Sequence, residues 1–353
     1  MENAYQLWRE GKSGSHHVWG KIELEKISQI NMVIFPHEKF KWLNKLGGLF
    51  GITHLDQQIR ILFSSSKYDI LYAPYSTQNT KLLLVLKLFR IYRKPIVVTI
   101  HSPFLGTNYD NSWVKWISKK LLLTYDASIY LSDNLMKQAI EKLGIRREIS
   151  SKRIFTAQWG PDRNFYSNFI GKNSMSDRYL ISAGHTSRDY ETLIEAFKQL
   201  DYKLKIFCTP KSIPIVDEIP HNVTIHSEFI PYSELMNYYL NSSVILIPLK
   251  YDSRNEGCQG MTSIQDVVAL GKPTIITKNK NLNLDVEKEG FGIFVDMGDV
   301  SGWVNAVKLL MNDKAKMKHM GENATAVYHS KFNAEIFGAR LKNVFSNVYN
   351  SYK

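Results

Sequence analysis

Along this chain, apolar runs of strand length alternate with longer stretches in which apolar residues recur at three- and four-residue spacing. In the first half, Met32 to Phe35, Asp69 to Ala73, Pro95 to Ile100, Ala127 to Leu131 and Arg153 to Ala157 predict strands. Trp113 to Leu123 and Asn134 to Leu143 predict helices, the second with Asp133 as N-cap and Gly144 as its stop. The polar stretch from Gly160 to Asp177 breaks this rhythm and predicts an interdomain linker. Beyond it the alternation restarts. Tyr179 to Ala183, Lys205 to Cys208, Val223 to His226, Val244 to Ile247, Thr274 to Thr277 and Gly292 to Val295 predict strands, with helices opening near Asp189, Tyr232, Ser263 and Val300. Lys314 to Lys353 reads as continuously helical.

Two strand-helix arrays joined by a linker predict an α/β protein with two doubly wound, Rossmann-like domains facing a central cleft. We place the first domain at residues 1–160 and the second at 161–332, with a helix over about 333–353 free to pack back on the first. A length of 353 residues with 44% apolar content supports two such cores. Ligands of doubly wound sheets bind outside the carboxyl ends of the strands, so the loops directly after each strand are the ones to search.

Composition narrows the setting. Two cysteines, Cys208 and Cys258, are too few for a disulfide framework or a thiolate metal cage, which suggests a reducing, cytoplasmic compartment. Met1 to Gly20 lacks the basic start and apolar block of a secretory signal. Leu82 to Tyr92 is interrupted by Lys87 and Arg90 and is too short to span a membrane, so it is read as a packed helix. The formal charge of +12 is unevenly placed: residues up to Arg163 hold 24 Lys and Arg against 13 Asp and Glu, and the rest hold 21 against 20. A basic first half suits an anionic membrane leaflet, nucleic acid, or merely a solvated face.

The segment Asn255 to Thr277 carries the clearest chemistry. Gly257 and Gly260 form a small-residue turn before a helix opened by Thr262 and Ser263; Asp266 sits one turn inside, and Gly271 ends the helix before Pro273. A helix N-terminus binds phosphate through its free N–H groups, and a nearby carboxylate can accept bonds from ribose hydroxyls. Together they suit a nucleoside diphosphate.

This segment resembles the donor-binding signature of retaining GT-B glycosyltransferases of the family 4 type (glycosyl transferases group 1): a Glu, seven residues, and a second Glu followed by Ala-x-Ala-x-Gly-x-Pro. Ala269, Gly271 and Pro273 match the tail, and Asp266 falls at the second Glu, the ribose ligand. Cys258 takes the first Glu position, with Glu256 two residues earlier as a stand-in for that acid. Leu180 to Phe197 resembles the family's glycine loop and Lys-Gly-x-x-x-Leu-x-x-Ala element, with Gly184 in the loop and Arg188 at the lysine position. The resemblance implies that Arg188 neutralises the donor diphosphate and the charge building on the leaving group. It also implies that Gly260, Met261, Thr262 and Ser263 cradle the phosphates, and that Phe229 and Ile230 lie near the nucleobase.

Weaker echoes complete the picture. Trp159 to Asp162 followed by Phe165 resembles the element at the interdomain junction, and Gly14 to Gly20, with His16, resembles the glycine loop near the donor phosphates. Ala4 to Trp8 is the candidate for the family's preceding strand. His101 ends a strand as the family's acceptor-domain histidine does, although a histidine capping a strand would read alike. His16 and His17 are adjacent and lack a carboxylate cluster, so no metal site is expected there.

The implied activity is transfer of a sugar from a nucleotide-sugar donor to a glycan or lipid-linked acceptor, with retention, without cofactor or catalytic metal, in cell-surface polysaccharide or glycoconjugate synthesis. The enzyme would be cytoplasmic, with peripheral contact to the inner membrane face. Two rivals are a nucleotide-sugar 2-epimerase of the same architecture and a basic nucleic-acid-binding protein. The sequence lacks a Walker pattern and an aromatic-basic RNA motif, so nucleic acid is not expected as a partner.

Overall fold

The computed structural model describes residues 1–27, 30–74, 77–104, 111–170, 179–251 and 256–353. Its first sheet contains β1 (Leu71–Ala73), β2 (Ile96–Ile100), β3 (Ala127–Tyr130) and β4 (Ile154–Thr156), all parallel in the order β1-β2-β3-β4. The central strands β2 and β3 are buried along their whole length, as expected for parallel strands covered on both faces. Around them lie α1 (Glu2–Arg9), α2 (Lys21–Ile27), α3 (Lys41–Leu49), α4 (Leu55–Phe63), α5 (Lys81–Leu88), α6 (Ser112–Thr124), α7 (Asp133–Leu143) and α8 (Arg147–Arg153).

The second sheet contains β5 (Tyr179–Ala183), β6 (Lys203–Phe207), β7 (Val223–His226), β8 (Val244–Ile247), β9 (Thr274–Thr277) and β10 (Gly292–Val295). Its order, β10-β9-β8-β5-β6-β7, is that of a dinucleotide-binding fold, and the order reverses between β5 and β8. A short α9 (Arg163–Ser167) lies at the junction; α10 (Tyr190–Phe197), α11 (Tyr232–Asn241), α12 (Met261–Leu270), α13 (Val300–Met311) and α14 (Lys314–Ser330) belong to the second lobe. Residues 171–177 of the predicted linker lie outside the described residues. The last helix, α15 (Ala334–Tyr352), returns to the first lobe. It packs on α2, and Phe345 meets Tyr72 edge-on.

Four details of the sequence reading change. Met32 to Phe35 is not a strand: Lys21 Nζ donates to the Met32 carbonyl, Glu25 accepts from the Met32 N–H at 3.2 Å, and Val33 is exposed. Side chains of α2 thus satisfy a backbone that would otherwise need a ladder. Ala4 to Trp8 lies within α1. Helix α7 is capped by Ser132, whose Oγ accepts from the Leu135 N–H, so Asp133 is its first residue and not its cap; Gly144 ends it in the left-handed region. The C-terminal helical stretch is split at residues 331–333, where Asn333 caps α15 by accepting from the Ile336 N–H.

Candidate active site

The donor-loop helix α12 starts where the sheet order reverses. Gly260, with φ at 88°, turns the chain into the helix, and Gly271, with φ at 63°, turns it out. Residue types with a Cβ avoid that region, so two glycines fix where the helix begins and ends. Met261 and Ser263 point inward, whereas Thr262 is exposed at the first turn.

Arg188 is held against this turn. Its Nη2 donates to Ser263 Oγ at 2.8 Å and to the Ala183 carbonyl at 3.1 Å, and Nη1 reaches the Thr186 carbonyl at 3.3 Å. Gly184, with φ at 138°, lies directly beneath the guanidinium; a Cβ there would be 2.5 Å from Nη2. The absence of a side chain at 184 is what lets the arginine lie flat beside the N-terminus of α12. A fixed cation and a helix N-terminus, side by side at the switch point, form an anion-binding corner.

Asp266, the expected ribose ligand, lies one turn inside α12. It is buried, and its Oδ1 accepts from the Tyr166 hydroxyl at 2.5 Å and from the Tyr232 hydroxyl. Desolvation pushes its pKa up to about 7, against the opposing effects of the two tyrosines and Arg188. A ribose hydroxyl reaching Oδ1 would compete with a tyrosine. Neither tyrosine was expected at the site from the sequence, because their meeting depends on α9 and α11 packing over α12.

His16 and Gly14 belong to this buried cluster. Residues Ser15–Val18 form a short 3-10 turn whose Ser15 N–H donates to Asp162 at 2.8 Å, while the Asp162 N–H reaches His16 Nδ1 at 3.3 Å. Trp159 Nε1 donates to the His16 carbonyl, and the ring of Trp159 stacks on Trp19 at 4.3 Å. Gly14 leaves room for the His16 ring, which a Cβ would meet at 2.5 Å. The His16 ring stacks on Tyr166, and His17 meets Tyr232 edge-on at 5.1 Å. Burial disfavours the charged form of both imidazoles, lowering the His17 pKa to about 4 and that of His16 well below the ordinary value, the neighbouring His17 adding to the latter wherever it is protonated. Among the described residues, none hydrogen-bonds the buried His16 Nε2.

His101 follows β2 and opens to the cleft, with its pKa lowered by desolvation. Its carbonyl accepts from the Cys258 N–H at 2.9 Å, so the end of a first-lobe strand touches the donor loop of the second. Gly257 permits this approach, since a Cβ there would be 2.7 Å from that same carbonyl. Glu256 is paired with Lys280 at 2.7 Å, while Cys258 is half-buried, and desolvation pushes its thiol up to about 12. Asn255 lies outside the described residues. Phe229 projects into solvent beyond β7, 93% exposed, next to the half-buried Ile230. Among the described residues, no group of three or more His, Cys, Asp or Glu is placed to hold a metal ion.

Thus the structure brings Gly184, Arg188, Gly260, Met261, Thr262 and Ser263 into one corner, with His101 and Glu256 along the adjoining loop contact. Asp266, Gly14 and His16 lie in the buried cluster behind it, and Phe229 and Ile230 stand beyond β7.

Two facing parallel α/β lobes with this switch-point corner define a GT-B fold. Solved structures bear this out. Sucrose-phosphate synthase from Thermosynechococcus elongatus is 16% identical, with a TM-score of 0.62 over 84% of this chain and 79% of that one. The α,α-trehalose 6-phosphate synthase of Burkholderia multivorans is 12% identical, with a TM-score of 0.65 over 85% and 78%. Anabaena HepE in complex with UDP and glucose is 17% identical, with a TM-score of 0.61 over 92% and 88%. Residues 217–327, which include the donor loop and α12, match the family described as Glycosyl transferases group 1. No curated protein sequence matches the chain.

Proposed function

We propose that this protein transfers a sugar from a nucleotide-sugar donor to a glycan or lipid-linked acceptor, with retention of anomeric configuration. The observation that carries the proposal is the corner formed by Arg188, Gly184 and the N-terminus of α12, inside the segment that matches group 1 glycosyltransferases. A diphosphate there meets a fixed guanidinium and the positive end of a helix, both of which strengthen their hold as the leaving group gains charge. His101 stands across the cleft, where the donor sugar would extend. Phe229 offers an exposed ring for the base, and Glu256 an acid near the sugar. The residues drawn together need no metal for these roles. Retention, the hexosyl class and a place in cell-surface polysaccharide synthesis follow from the resemblance of the donor signature. UDP sugars are the first donors to try, because HepE is described in complex with UDP and glucose.

We also place the acceptor at an anionic membrane surface. Large apolar side chains are exposed on the basic first lobe: Trp42, Leu49, Phe50, Phe89, Trp113 and Trp116. Trp113 and Trp116 stack at 5.2 Å, and Lys120 lies 4.2 Å over the Trp116 ring. Aromatic rings favour the headgroup layer while lysines meet phosphates. Among the described residues no helix is long and apolar enough to cross a membrane.

The test is incubation with a panel of nucleotide sugars and lipid-linked glycans, followed by mass spectrometry. Transfer to a glycan supports the proposal. Accumulation of a free isomerised donor without transfer would replace it with a 2-epimerase.

A further inference from the structure

After β9 the chain places asparagines at alternate positions, Asn279, Asn281 and Asn283, and none of them is explained by the donor corner. Asn279 is buried; its amide nitrogen donates to the carbonyls of Gly257 and Gln259 at 3.0 and 3.1 Å, and its oxygen accepts from the Asn281 N–H at 2.9 Å. Asn283 faces the other lobe, accepting from the Asp133 N–H at 2.8 Å at the start of α7 and donating to the Leu131 carbonyl at 3.3 Å. Asn281 does both. It is 1% exposed, donates to the Glu256 carbonyl at 2.7 Å, and accepts from Asn134 Nδ2 of α7 at 2.9 Å.

We propose that Asn281 is a positioning residue that makes the geometry of the donor loop depend on contact between the lobes. The inference rests on the glycosyltransferase reading for its purpose, but not for its physics. A primary amide has distinct ends: with its oxygen engaged by the Asn134 amide, its nitrogen is directed at the Glu256 carbonyl. Removing the Asn134 donor frees the amide to rotate, and Glu256 loses its backbone anchor. Asn279 holds the next residues of the same loop from within its own lobe, whereas the anchor at Glu256, through Asn281 and Asn134, and the bond from the Cys258 N–H to the His101 carbonyl depend on the other lobe. A transferase gains from this arrangement because the donor is aligned only when the cleft is closed, which suppresses hydrolysis by water.

Hydrogen exchange of the full chain without ligand, read by mass spectrometry over residues 256–264, tests the coupling. Asn134→Ala and its isostere Asn134→Asp both lack the amide donor and lie on the other lobe. Each is expected to accelerate exchange there about fivefold, the equivalent of one neutral hydrogen bond. Asn134→Gln, which retains the donor, restores protection, and Asn283→Ala leaves the loop unchanged while loosening the start of α7. Wild-type exchange of the loop in Asn134→Ala, or equal acceleration in Asn283→Ala, overturns the proposal. Calorimetry with UDP on the same proteins separates the two readings. Failure of wild type to bind UDP counts against the donor assignment and leaves the exchange result standing, whereas weaker binding by Asn134→Ala alone supports both.

Discussion

Asp266→Asn provides a sharp test of the buried cluster, because the side chain keeps its shape and its Oδ1 acceptor while losing the ability to ionise. Asp266 carries a pKa of about 7 when folded, raised by desolvation from an ordinary value of 3.8. The sign follows from proton binding. Between those two values the unfolded chain has released the proton and the folded chain has kept it, so the stability of the wild type falls as pH rises through that window. The shift is about three units at 1.36 kcal/mol each, roughly 4 kcal/mol in all, of which roughly 2–3 kcal/mol falls between pH 5 and pH 8. Glu23, also raised to about 7 by desolvation, adds loss in the same direction. His16 and His17, whose folded pKa values are lowered, act oppositely, destabilising the fold as pH drops below their ordinary value of 6.5. These groups are common to wild type and variant, so the difference between the two isolates Asp266. Urea unfolding at several pH values should show wild type holding its largest advantage over Asp266→Asn near pH 5 and losing it by pH 8. Parallel stability profiles would mean that Asp266 is not desolvated as the two tyrosines place it.

Arg188→Ala should lower turnover by about a hundredfold, the loss typical when one donor to a developing anion is removed; steady-state kinetics of a folded variant with wild-type turnover would remove the diphosphate role. Gly184→Ala should weaken nucleotide binding nearly as much without touching a charge, because its Cβ would push the guanidinium from the α12 N-terminus and its φ of 138° suits glycine. Calorimetry with UDP measures the effect, and undiminished binding refutes it. Flotation should recover the protein with anionic vesicles at low salt, and much less with neutral vesicles or at high salt. Equal recovery with both vesicle types would argue against an electrostatic membrane contact.

The second lobe was legible in the sequence because its strands are apolar along their length and its helices are bounded by strong signals. Gly260 and Gly271 bracket α12, and Asp189 and Asp299 cap α10 and α13. The first lobe was harder. Its strands β1 and β4 are three residues long, and the apolar run at Met32 is pinned by Lys21 and Glu25 instead of a neighbouring strand. Arg188 and Gly184 were readable as neighbours because they lie four residues apart on one loop. The tyrosine clasp on Asp266 was not, since Tyr166 and Tyr232 are separated from it by 100 and 34 positions. The asparagine triplet did leave a signal, an amide at every second residue directly after a strand. Its partners on α7 became visible only with both lobes in place.

The polypeptide passes between the lobes at residues 159–163 and again at residues 331–334, and these passages touch. The Ala334 N–H donates to the Pro161 carbonyl at 2.9 Å, and a Cβ on Gly160 would collide with the Asn333 backbone. Two crossings pinned side by side would constrain any movement as the paired leaves of a door hinge do: rotation about the line joining them would be permitted, and sliding or twisting of one lobe over the other resisted. Were the lobes to open, the His101 side of the cleft would swing away from the donor loop along one arc, and closing would bring the same atoms back into register. A bulkier residue at position 160 would part the leaves, leaving each lobe folded but free to close out of line.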